Sequence, residues 1–82
     1  MKTKIRKLFD AELAEMREYY TAVQIRGGAT PKRAAEMVDT VLAVIEDAFK
    51  LGQLRWSIIG GRIAFDKRDI QRLEDAARKR NQ

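Results

Sequence analysis

The chain has 82 residues, with 17 lysines and arginines against 12 aspartates and glutamates, and neither histidine nor cysteine. This excludes a disulfide framework, a thiolate metal site and any catalytic pair of the Ser–His or Cys–His type. The net charge of +5 is uneven, at +2 for residues 1–30, −1 for 31–51 and +4 for 52–82, so the positive field sits in the C-terminal third, as suits a polyanionic partner.

Residues 1–7 are basic, but no apolar block follows, so no signal peptide is expected. The longest apolar run, Val41 to Ile45, falls far short of the roughly 20 residues that span a bilayer. No membrane association is expected, and a cytoplasmic location is.

A first helix is predicted over residues 3–26. Phe9, Leu13, Met16, Tyr20 and Val23 recur at spacings of four and three, which is one seam of a helix. Ile5, Leu8, Tyr19 and Ile25 widen the seam, and Asp10, Glu12, Glu15, Arg17 and Glu18 occupy the other face. Gly27 and Gly28 end it.

A second helix is predicted over residues 31–51, with Thr30 as its N-cap and Pro31 in the first position, where no N–H is needed. Ala34, Val38, Val41, Leu42, Ile45, Ala48 and Phe49 form one apolar face, and Met37, Val44 and Leu51 add a second. A helix apolar over most of its girth is normally covered on two sides, so this one should be central.

"WSIIGGRIAF" follows, and Gly60-Gly61 suits a two-residue type I′ turn joining strands over residues 54–59 and 62–65. Pairing Ile59 with Arg62 sets Ile58 opposite Ile63 and Trp56 opposite Phe65. Alternation then sends Leu54, Trp56, Ile58, Ile63 and Phe65 inward, and Arg55, Ser57, Ile59, Arg62 and Ala64 outward. A third helix over residues 67–80 is capped by Asp66, with Asp69 in its first turn, Arg78, Lys79 and Arg80 in its last, and Ile70, Leu73 and Ala77 as its buried stripe. Asn81 and Gln82 are expected to fray. The fold is therefore mainly α with one β-hairpin, order α-α-β-β-α, a single winged-helix-like domain with a long N-terminal helix.

The adjacent carboxylates Glu46–Asp47 and Glu74–Asp75 point about 100° apart on a helix and read as solvated charges, not an acid/base pair. No enzyme activity, cofactor or metal is expected. The hairpin and the basic helix after it carry the strongest functional signal. A two-stranded ribbon fits a DNA groove, and arginine at its tip suits phosphate or a narrow minor groove. Lys67 and Arg68 bring charge to free backbone N–H groups at a helix start.

Within residues 34–73, "AAE", then Gly52-Gln53-Leu54, then Ile59-Gly60-Gly61-Arg62 with Phe65, then Asp69-Ile70 with Leu73, resemble the winged helix-turn-helix domains of phage excisionases and MerR-type regulators. That resemblance implies binding to double-stranded DNA, with one helix in the major groove and the wing on the backbone or minor groove. It implies contacts from Arg55, Arg62, Lys67 and Arg68. Where the groove-reading helix of that family is basic or polar, this chain has Val41, Leu42, Ala43, Glu46 and Asp47. Either a turn interrupts the second helix at Asp39-Thr40, or the two family helices are fused into one and the wing alone remains. Residues 31–53 are also similar to the dimerising helical hairpin of the histone-like HU family, which implies a homodimer.

Two readings stand. The first is a small basic DNA-binding protein, an excisionase-like or regulatory accessory factor from a phage or other mobile element, contacting duplex DNA through Arg55, Arg62, Lys67, Arg68, Arg72, Lys32 and Arg33. The second is a protein-binding module, a phage-type inhibitor or assembly subunit, using Met37, Val41, Val44 and Tyr19. A homodimer is compatible with both.

Overall fold

The computed structural model describes the backbone of residues 2–80 and the side chains of residues 4–80. Asn81 and Gln82 lie outside the described residues. Three helices and one antiparallel hairpin follow the order α1 (Lys2–Arg26), α2 (Pro31–Lys50), β1 (Trp56–Ile59), β2 (Arg62–Phe65), α3 (Lys67–Arg80). The first and last helices match the sequence reading to within a residue, and α2 stops one residue earlier, with Leu51 as its C-cap. The hairpin is shorter at its start, since Leu54 and Arg55 precede β1.

Each boundary has a local cause. Thr30, extended at φ −69°, ψ 157°, accepts from the Arg33 N–H at 3.2 Å and opens α2. At the other end Gln53 N donates to the Ala48 carbonyl at 2.8 Å and Gly52 N to that of Phe49 at 3.2 Å. This double closure requires a left-handed residue between helix and loop, and Gly52 supplies it at φ 71°. Asp66 Oδ1 accepts from the backbone N–H groups of Arg68, at 2.9 Å, and Asp69, at 3.2 Å, and caps α3. Gly60 and Gly61 take φ 59° and 77°, so the turn is made and the register is Ile59↔Arg62, Ile58↔Ile63, Ser57↔Ala64 and Trp56↔Phe65, as predicted.

α2 packs on α1 along one side and on α3 along the other, the two-sided cover its girth of apolar residues calls for. The core gathers Phe9 of α1, Val44, Ile45 and Ala48 of α2, Leu54, and Leu73 and Ala77 of α3. Phe9 is fully buried, its ring stacked on Phe49 with centroids 3.9 Å apart and edge-on to Phe65 at 5.8 Å. The longest dimension of the molecule is 40 Å, set by α1, whose 25 residues at about 1.5 Å each run nearly that far.

Two expectations need correction. Trp56 and Ile58 do not close the core, and are 42% and 46% exposed. β2 lies against α1 while β1 lies outside β2, so the inward face of β1 overhangs the helices, and Trp56 only leans on Phe49, centroids 6.3 Å apart. Val44, expected among the residues of a protein interface, is buried within the core cluster. Of the two alternatives left open for the second helix, the fused one is present: α2 runs unbroken through Asp39 and Thr40, whose Oγ1 donates back to the Glu36 carbonyl at 3.2 Å. The turn of a helix-turn-helix is therefore not made.

Candidate nucleic-acid interface

The predicted DNA-contacting residues fall into two groups. Arg55, Lys67, Arg68 and Arg72 gather at the base of the hairpin and the start of α3, with Arg62 at the turn end of the same hairpin, held on α1. Lys32 and Arg33 sit in the first turn of α2. That turn belongs to the opposite end of the molecule, because the N-terminal half of α2 meets the C-terminal halves of α1 and α3 there, at a cleft lined by Tyr19, Tyr20, Met37, Val41, Glu74 and Arg78.

Arg55 and Arg62 were expected to present open guanidinium groups. Both are engaged by carboxylates. Arg55 donates through its backbone N–H to Asp69 Oδ2 at 2.8 Å, through Nε to the same oxygen at 3.1 Å, and through Nη2 to Oδ1 at 2.9 Å. Asp66 Oδ1 stands 3.6 Å from Nη2. Arg62 donates through Nε to Glu12 Oε1 at 2.9 Å and through Nη2 to Glu15. The guanidinium of Arg62 reaches back over the face of α1 that β2 covers, and that of Arg55 forks onto the first turn of α3. Arg55 is the residue from which the ribbon leaves for its strand, so this fork ties the ribbon down at its base.

These contacts shift the charges in a consistent direction. The forked hydrogen bonds from the Arg55 side chain, then the bond from its backbone N–H, hold the Asp69 carboxyl well below the usual carboxylate range against the opposing effect of burial. Asp69 is only 6% exposed. The same pairing raises Arg55, chiefly through Asp69, and the hydrogen bond to Glu12 chiefly raises Arg62.

Sequence reasoning treated Asp69 as a favourable charge in a helix dipole and missed it as the buried acceptor joining hairpin to helix. Its partner Arg55 lies 14 positions back, and no local spacing announces the contact. Glu12, assigned to the solvent face of α1, is the second residue missed. Its partner lies 50 positions away, and no local spacing announces it.

The exposed face of α3 is different. Lys67, Arg68, Lys79 and Arg80 are exposed and form no ion pair among the described residues. Arg72 lies between them, donating to the Gln53 carbonyl at 3.1 Å with Asp69 Oδ1 3.6 Å away. Arg78 is paired with Asp75 at 3.0 Å.

Of the residues expected at a protein interface, Tyr19, Met37 and Val41 line the cleft of about 310 Å³ between the three helices, and Val44 lies in the core. Within the cleft Tyr20 donates its hydroxyl to Glu74, and burial, then that hydrogen bond, push the phenol well above its ordinary value.

Among the described residues no group of three or more His, Cys, Asp or Glu is placed to hold a metal ion, and no helix is long and apolar enough to cross a membrane. Comparison with protein-family models, curated proteins and solved structures gives no match to this chain.

Proposed function

We propose that this protein binds double-stranded DNA by laying the outward face of α3 on the phosphate backbone. The hairpin serves as a brace beside it. The observation that carries this reading is the set of outward cations on α3 that form no ion pair among the described residues: Lys67 and Arg68 at one end and Lys79 at the other. The 14 residues of α3 span about 21 Å at 1.5 Å each, enough to cross a major groove about 12 Å wide and meet phosphates on both sides. Contacts of this kind set position and overall affinity and carry little sequence information. An accessory role on DNA, excisionase-like or regulatory, fits that character.

Titration of a labelled mixed-sequence duplex, followed by fluorescence anisotropy at several salt concentrations, tests it. Affinity should fall steeply with salt as counterions are released. Lys67→Ala with Arg68→Ala should weaken binding uniformly across sequences and reduce the salt slope by about two. Absence of binding at low salt overturns the proposal.

The cleft formed by Tyr19, Met37 and Val41 favours a second reading, a protein-binding module. It predicts that Met37→Lys abolishes capture of a protein partner while leaving DNA affinity unchanged.

A further inference from the structure

β1 is an open edge. β2 is covered by α1, through Arg62 on Glu12 and Glu15 and through the edge of Phe65 on Phe9. All four residues of β1 are exposed, with Ile59 at 66% beside the half-exposed Trp56 and Ile58. The register fixes which backbone groups remain unused. Ile59↔Arg62 closes the two-residue turn, so Ile59 and Ser57 exchange hydrogen bonds with β2. In phase with this, Asp66 N donates to the Arg55 carbonyl at 2.9 Å. The N–H and C=O of Trp56 and Ile58 then point away from β2. Protein edges are usually blunted by lysine, proline or a bulge, and "WSII" has none of these.

We propose that β1 is a dimerisation edge, pairing antiparallel with β1 of a second copy about a two-fold axis at Ser57. In that register Trp56 stands opposite the second copy's Ile58, and Ile58 opposite its Trp56. The four unused backbone groups of each strand are satisfied, and each ring meets a β-branched chain. Serine at the axis leaves room for closure. The charges agree with this occupant. The strand carries no charge, so it offers nothing to a polyanion. The charged residue that precedes it, Arg55, is already neutralised by Asp69 and Asp66 and meets the second copy's Ile59, not a like charge, and Arg62 across from Ile59 is held by Glu12 and Glu15.

Trp56 and Ile58 share the hairpin face that carries Ile63 and Phe65 toward the core. The joined ribbon, β2-β1-β1-β2, extends that face and covers the overhang. The pairing is short. It buries less than the roughly 800 Å² per partner of a stable interface, so the dimer is weak and exchanges with the monomer.

The experiment needs no DNA, so its outcome is independent of the function proposed above. Trp56 is the only tryptophan in the chain and reports directly. Sedimentation velocity and tryptophan emission are followed over a concentration series. The mass should double as the emission moves to the blue. Ile58→Lys should remain monomeric throughout, with the parent's circular dichroism spectrum. Hydrogen exchange on the parent protein makes the test independent of any variant. The Trp56 and Ile58 amides should gain protection with concentration, while those of Ser57 and Ile59 should not change. A monomeric mass at the highest concentration overturns the proposal, as does a dimer whose Trp56 and Ile58 amides still exchange freely.

Discussion

Three hydrogen bonds from one arginine converge on Asp69, and this has a consequence for acid stability. Its carboxyl is held below the ordinary range in the folded chain and titrates near 4 when unfolded. The stabilisation is therefore present above about pH 4 and is lost as pH falls toward the lower folded value. Glu46, lowered mainly by its hydrogen bond from Arg6, acts in the same direction. Urea melts from pH 7 to pH 3 should show stability dropping below about pH 4, and Asp69→Asn should start less stable and drop less. Equal drops in both proteins would refute this role for Asp69. Phe9 belongs to the same scale. With its ring wholly buried against Phe49 and Phe65, Phe9→Ala should cost about 3–5 kcal/mol in chemical denaturation. That Phe9 belongs to the core was legible from its place in the α1 seam. That Asp69 is buried was not, because a carboxylate in a first helical turn is usually explained by solvent and the helix dipole alone.

The elements were legible where local chemistry decides them. Thr30-Pro31 opens α2, Gly52 closes it, and Gly60-Gly61 fixes both turn and register. Thr30→Ala should cost about 1 kcal/mol by thermal melting, since one cap bond is lost from an exposed position. Gly60→Ala meets no neighbouring atom but must adopt φ near 59°. It should lower the melting temperature through backbone strain and not through a clash. What alternation could not tell is how far the support beneath a strand extends. It gave the correct face for Trp56 and Ile58, yet only a strand with a helix beneath it buries that face, and β1 stands one strand too far from α1. The unbroken α2 was open in the sequence. A resemblance argued for a turn at Asp39-Thr40, while periodicity supplied no breaker there, and the periodicity prevailed.

At the scale of the molecule, α1 is fastened by side chains from distant parts of the chain: Arg6 to Glu46, Arg62 to Glu12 and Glu15, and Tyr20 to Glu74. Exposed pairs of this kind weaken as salt screens them. Arg62→Ala should therefore lower the melting temperature at low salt, and the gap from the parent should narrow toward molar salt. A gap that does not change would mean that Arg62 acts through packing alone. Long-range ties like these are invisible to any reading of local spacing, because each partner taken singly is an ordinary surface charge.

The placement of α1 also matters while the chain is being made. Translation delivers α1 before the elements that enclose it: the residues that cover its seam, Val38 to Phe49, follow only after another helix start, and those that clasp its rim, Arg62 and Glu74, come later still. A nascent chain halted before residue 62 thus displays Leu13, Met16 and Tyr20 with their final enclosure incomplete. For that interval the newborn helix is exposed to chaperones and to premature association.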